Sequence, residues 1–131
     1  MKQVLNIDKC ERVQRFFTKR LMGLWNVSYL ERLELLNIET LEERRLFNDM
    51  ICVYKLFRGF FNLDVSDFFV ISHNNRTRGH CFKIAKSRCM HTFAQHFFNY
   101  RVVNLWNSLP ETVVCSDTVN CFKSLITLYS R

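Results

Sequence analysis

Four side chains able to hold a soft metal ion lie close together in the sequence. They are Cys81, Cys89, His91 and His96, spaced C-x7-C-x-H-x4-H. Zinc knuckles and fingers draw their first two ligands from one tight turn, about two to four residues apart, so that both reach a tetrahedral ion. The gap of seven residues between Cys81 and Cys89 is too long for this, and His91 is crowded against Cys89. Nucleophilic catalysis has no better frame, because no G-x-S-x-G elbow or related motif brackets a Cys/His pair. Three isolated glycines make neither a P-loop nor a dinucleotide fingerprint. Two-metal phosphoryl transfer needs clustered carboxylates. Asp8, Asp49, Asp64, Asp67 and Asp117 are scattered, and none closes an apolar strand. The sequence therefore predicts no catalytic residue, no metal, no cofactor and no small-molecule substrate.

What the chain does concentrate is positive charge. Residues 68–110 contain no Asp and no Glu, yet carry Arg76, Arg78, Lys83, Lys86, Arg88 and Arg101 and all four histidines. The chain is formally +7, and outside this stretch 13 basic residues face all 12 acidic ones, so the excess is local. Cations interleaved with Phe82, Phe93, Phe97, Phe98, Tyr100 and Trp106 are the equipment of a phosphate-backbone binder. Within it, Arg76-Thr77-Arg78-Gly79-His80 is the sharpest candidate. Two arginines one residue apart in a loop can reach one backbone, and Gly79 lets the chain come close. Trp106 reads as core rather than as a stacking platform. Arg12, Arg15 and Lys19 are candidate outer contacts on a helix face near the N-terminus.

These residues must be positioned by helices. One Pro and three Gly among 131 residues, with 48% apolar content and 13 Phe, favour helices with short connections around an aromatic core. Residues 4–24 place Cys10, Val13, Phe17, Leu21 and Leu24 at helical spacing, with Phe16 alongside. Ser28 with Glu31, and Thr40 with Glu43, are capping boxes opening helices over 29–36 and 41–58. In the second of these Leu46, Phe47, Met50, Val53, Tyr54 and Phe57 form the apolar stripe. Asn37 and Gly59 are stop signals. Ser66 or Asp67 caps a short turn, and 72–80 is a polar loop. Residues 80–86 alternate as a short-strand candidate, with no obvious partner strand nearby other than the stretch around 69–71. A helix runs from Thr92 to Pro110, which ends it. Ser116 or Asp117 caps a last helix with the stripe Phe122, Leu125, Ile126 and Tyr129. The expected fold is mainly α: four to five amphipathic helices around one core, one domain over residues 1–131, and a minor β element near 80–86.

The first residues lack an apolar signal core and a small-residue cleavage site. No apolar run approaches the ~20 residues that span a bilayer. An intracellular protein that does not engage membranes is expected, with Cys10, Cys52, Cys81, Cys89, Cys115 and Cys121 reduced.

The segment Tyr100-Arg101-Val102-Val103-Asn104-Leu105-Trp106-Asn107-Ser108-Leu109-Pro110-Glu111-Thr112-Val113-Val114, with Val119-Asn120-Cys121-Phe122-Lys123-Ser124-Leu125, resembles the C-terminal end of reverse transcriptases from non-LTR (LINE-type, jockey-like) retrotransposons. Their pattern there is roughly F-x-x-R-V-V-N-x-W-N-x-L-P-x-x-V-V followed by V-x-x-F-K-x-x-L. Leu41-Glu42-Glu43-Arg44-Arg45-Leu46 with Val53-Tyr54-Lys55 is similar to that family's L-E-x-R-R-L helix. Ser66-Asp67-Phe68-Phe69 and Arg76-Thr77-Arg78-Gly79-His80 resemble its S-D-F-F and T-R-G-H elements. Glu11-Arg12-Val13-Gln14-Arg15 with residues 29–36 resembles its post-palm stretch. The likeness covers about residues 5–128 and keeps the family's order. Phe47-Asn48-Asp49 departs from the usual R-G-D, and Cys121 from the usual Ser.

The resemblance implies a thumb-side tail without the fingers, the palm, the Asp-Asp catalytic dipeptide or the endonuclease. The starting Met then suggests a truncated or domesticated element. Such a tail is expected to grip RNA and DNA backbone, to meet other reverse transcriptase domains, to reside in the nucleus with its parent family, and not to polymerise. A structural or protein-interaction module orphaned from the polymerase palm is the alternative.

Overall fold

The computed structural model describes residues 4–73, 79–88, 91 and 94–129, with side chains from residue 7 onward. Six α-helices occur among them: α1 (Val4–Lys19), α2 (Tyr29–Leu36), α3 (Leu41–Phe57), α4 (Phe98–Ser108), the single turn α5 (Glu111–Val114) and α6 (Val119–Tyr129). The fold is mainly helical, as the periodicity predicts. The chain divides into two compact units, residues 1–46 and 47–131.

In the first unit both capping boxes form. The Ser28 N–H donates to Glu31 (3.1 Å) while the Glu31 N–H donates to the Ser28 hydroxyl. Thr40 and Glu43 exchange the same pair, at 3.0 and 3.1 Å. α2 ends on Asn37 in the left-handed region (φ 51°), and the Ile38 N–H returns to the Leu33 carbonyl, a Schellman closure. The predicted α1 stripe does not become core. Val13, Phe16 and Phe17 are exposed, and among the described α1 side chains the buried ones are Glu11 and Thr18. The reason is the polar character of what α2 offers. The Tyr29 hydroxyl donates to Glu11, whose second oxygen accepts the Leu41 N–H (3.1 Å). Arg32, 4% exposed, donates to the Thr18 hydroxyl and to the Arg15 carbonyl, both at 3.2 Å. Burying a guanidinium requires such acceptors, and α1 rotates its polar residues inward to supply them. α1 also stops at Lys19, before the predicted end at residue 24, and Gly23 leaves it at φ 82°.

The hydrophobic core belongs to the second unit. Met50, Val53, Tyr54 and Leu56 of α3 pack with Val102, Val103 and Trp106 of α4, Val113 and Val114 of α5, and Phe122 and Ile126 of α6. Phe57 stacks on Trp106 at 5.3 Å, and Tyr54 on Phe122 at 4.3 Å. The predicted β element is a single antiparallel bridge, Ile71 to Ile84, flanked by Ser72 N–H to Lys83 carbonyl (2.8 Å) and Ala85 N–H to Val70 carbonyl (2.7 Å). A strand this short needs outside support, and α4 provides it. The Asn107 amide accepts the Ile84 N–H (2.9 Å) and donates to the Ile84 carbonyl (2.8 Å), in the manner of a neighbouring strand. Trp106 Nε1 donates to the Phe82 carbonyl at 2.8 Å. Two helix starts differ from expectation. A 3-10 turn over Ala94–His96 precedes α4, and the Thr118 hydroxyl, rather than Ser116 or Asp117, accepts the first-turn Cys121 N–H at 3.1 Å. Asp64 caps the Val65–Asp67 turn in place of Ser66 or Asp67. No helix among the described residues is long and apolar enough to cross a membrane.

Candidate nucleic-acid interface

Between the exposed face of α4 and the chain on either side of the Ile71–Ile84 bridge lies a groove of about 680 Å³. Ser66 to Val70 form one wall, Ile84 to Arg88 another, and Gln95, Asn99, Tyr100, Arg101, Val103 and Asn104 the floor and far side. The bridge and the Asn107 clamp hold the 84–88 wall in place. Lys86 and Arg88 are exposed on it, and neither forms an ion pair among the described residues. Phe68 is 39% exposed at the opposite wall. The groove thus pairs two solvated cations with an aromatic ring and exposed amides on α4, which can bond phosphate, ribose or base edges. Asp67 is its one carboxylate among the described lining residues.

The predicted cations are used in different ways. Arg101 also lines the groove, but its guanidinium binds Asp49 of α3 through two bonds, Nε to Oδ2 at 2.7 Å and Nη2 to Oδ1 at 2.9 Å. A third bond runs to the His96 carbonyl at 2.8 Å. The segment free of acids in sequence is therefore not free of them in space, because the long α3 carries Asp49 to it. Lys83 is half-buried and lies across Gly79: a Cβ built on Gly79 would stand 2.6 Å from Lys83 Cε. Gly79 sits at φ 127°, which favours glycine, and a Cβ there would displace only the end of the flexible Lys83 side chain. Arg76 and Arg78 lie outside the described residues. His80 is a core residue, 2% exposed, donating Nε2–H to the Trp106 carbonyl at 2.9 Å. Burial pushes its pKa down, and Nδ1 meets no partner among the described residues. Trp106 is fully buried, in keeping with its reading as core.

The outer cations Arg12, Arg15 and Lys19 belong to the first unit. They line a cleft there with Phe16, Trp25 and Tyr29. Arg15 lies 4.7 Å over the Tyr29 ring and Arg20 4.1 Å over Phe16. Trp25 is 66% exposed at the cleft.

The groove amides Gln95, Asn99 and Asn104 were not among the sequence-based candidates. No helical spacing signals them: Asn99 and Asn104 of α4 are both exposed, but five residues apart they stand about 140° from each other around the helix. The cysteines and histidines of the C-x7-C-x-H-x4-H pattern are distributed differently. Cys81, His91 and His96 are exposed, while Cys89 lies outside the described residues. Compared with protein-family models, with curated proteins and with solved structures, the chain matches none.

Proposed function

We propose that this chain is a non-catalytic nucleic-acid-binding module, related to the post-palm tail of a non-LTR retrotransposon reverse transcriptase. It grips RNA or DNA backbone through the groove of its second unit, with Lys86 and Arg88 on phosphates and Phe68 and the α4 amides beside sugar and base. The observation that carries the reading is the pairing of these two exposed cations with an aromatic wall in one groove. Arg76 and Arg78, next in sequence to that unit's Gly79, are assigned to the same backbone. Arg101 serves mainly to fix the groove floor. Arg12, Arg15 and Lys19 are outer contacts.

Fluorescence anisotropy of a labelled RNA hairpin and a DNA duplex, across a salt series, tests this. Binding should fall log-linearly with salt, and each phosphate contact removed should flatten the duplex slope by about 0.9. Lys86→Ala/Arg88→Ala and Arg76→Ala/Arg78→Ala should each weaken binding to all sequences alike. Unchanged slopes in both double variants would overturn the assignment.

A second reading rests on the exposed Val13, Phe16 and Phe17 of α1. An apolar face of this kind is suited to docking against another protein domain. Self-association of the purified chain, without affinity for nucleic acid, would favour it.

A further inference from the structure

We propose that Cys81, Glu111 and Cys115 bind a zinc-class divalent cation through two thiolates and one carboxylate. Their ligand atoms, two Sγ and one carboxylate oxygen, all lie within 4.8 Å of one another. With Zn–S near 2.3 Å and Zn–O near 2.1 Å, ligand atoms around a tetrahedral ion stand about 3.5–4 Å apart. Closing the trio therefore needs only small side-chain rotations. Glu111 and Cys115 are four residues apart on and just after α5, which puts them on one helical face. The Cys115 N–H bonds the Glu111 carbonyl at 2.8 Å, so this pair is already set. Cys81 arrives from the turn after His80, whose ring is tied to the Trp106 carbonyl. On the other side the Tyr54 hydroxyl holds the Ser116 carbonyl at 2.6 Å. Both arms of the site are thus anchored on core residues, Trp106 and Tyr54, and the ion would staple the 80–86 segment to α5.

The donor set selects the class of ion. Two soft thiolates exclude a magnesium or calcium site and suit zinc, with cobalt and cadmium as substitutes. Three protein ligands leave one position for water. This trio shares only Cys81 with the C-x7-C-x-H-x4-H pattern. Its partner cysteine lies beyond α4, where linear spacing does not reveal it.

Titration of the full, reduced chain with cobalt(II) tests the site. One equivalent should produce a thiolate-to-cobalt charge-transfer band and intense tetrahedral visible absorption, and zinc(II) should bleach both. Cys81→Ser and Cys115→Ser should each lose most of the charge-transfer intensity. Glu111→Gln should weaken cobalt binding by about tenfold or more, at least the loss seen when outer partners of a metal ligand are removed. A Cys10→Ser/Cys89→Ser/Cys121→Ser variant should keep the band. Should the Cys81 or Cys115 variants fail to fold, alkylation of the wild-type chain decides: zinc should slow maleimide labelling of Cys81 and Cys115 but not of exposed Cys10 and Cys121. No band at one equivalent, a band that survives Cys81→Ser, or labelling that zinc does not slow would each overturn the proposal. So would a Cys81–Cys115 disulfide whose reduced form has no affinity for the ion.

Discussion

Replacing Asp49 by alanine removes the acid paired with Arg101 in the groove floor, and the consequence can be worked from the geometry. Two charge-assisted bonds at 2.7 and 2.9 Å are lost. Such bonds contribute about 1.5–3 kcal/mol each when desolvated, and breaking a fully buried pair costs about 3–5 kcal/mol. This pair is not fully buried, with side-chain exposures of 23% for Arg101 and 12% for Asp49. In the variant Arg101 also keeps its bond to the His96 carbonyl. The expected loss is therefore about 2–3 kcal/mol, below the buried limit and above the ~0–1 kcal/mol of a surface pair. In a Trp25→Phe background, Trp106 alone reports unfolding of the second unit. With a urea m-value of about 1.5 kcal/mol/M the midpoint should fall by roughly 1.3–2 M.

A double-mutant cycle with Arg101→Ala should give a coupling of about 1.5–2.5 kcal/mol. The same perturbation informs the function. Asp49→Ala frees a guanidinium beside Lys86 and Arg88, so the duplex salt slope should steepen by up to about 0.9. A coupling below about 0.5 kcal/mol would refute the assignment of Arg101 to the groove floor. It would return the residue to the phosphate contacts that charge density alone suggests.

Gly79→Ala should destabilise the second unit by about 1–2 kcal/mol, since φ 127° is costly for any residue with a Cβ and Lys83 must be displaced; urea unfolding measures it, and an unchanged midpoint would contradict the strain. Asn107→Leu strips both bonds from Ile84 and should cost about 2 kcal/mol, with early loss of hydrogen-exchange protection at the Ile84 amide; Asn107→Asp, which keeps the acceptor, should retain more of that protection. Glu31 has its pKa lowered from 4.5 by its bonds to the Ser28 side chain and N–H. A carboxylate whose folded pKa is depressed contributes stability above its unfolded value and loses it as pH falls through the folded one. The Ser28 amide shift should therefore titrate with a midpoint below 4.5, and Ser28→Ala should raise that midpoint.

The second unit was largely legible in the sequence because its elements agree at every level. The stripe of α3, the stop at Gly59, the Pro110 break and the stripe of α6 each arise from local periodicity or from a residue with one conformational use. Even the weak alternation of 80–86 found its partner at Ile71. The block spanning Arg101, Val102, Val103, Trp106, Asn107 and Leu109, which carries the family resemblance most strongly, proves to be dense in structural roles. Arg101 binds Asp49, Asn107 clamps Ile84, Trp106 anchors Phe82, and the three aliphatic residues fill the core. A conspicuous motif can thus arise from packing alone, and its presence does not by itself locate a binding surface.

The first unit was legible in its caps and illegible in its packing. Hydrophobic periodicity assumes that apolar residues win the interior, and α1 follows that rule in sequence while breaking it in space. Buried Glu11 pairs with half-buried Tyr29, and buried Arg32 with buried Thr18; buried polar groups must be satisfied, and that decides which face turns inward. Nothing in the spacing of Val13, Phe16 and Phe17 reveals this. The signal that could have done so is a comparison across helices: a glutamate and a threonine seven residues apart on α1, facing a tyrosine and an arginine three residues apart on α2. The groove eluded the sequence for the related reason that charge density ignores depth. Six cations fall in one acid-free stretch, yet α3 delivers an acid to one of them and Gly79 accommodates the half-buried stem of another. Among the described cations of that stretch, Lys86 and Arg88 stand exposed beside aromatic and amide groups, and on them the proposed grip depends.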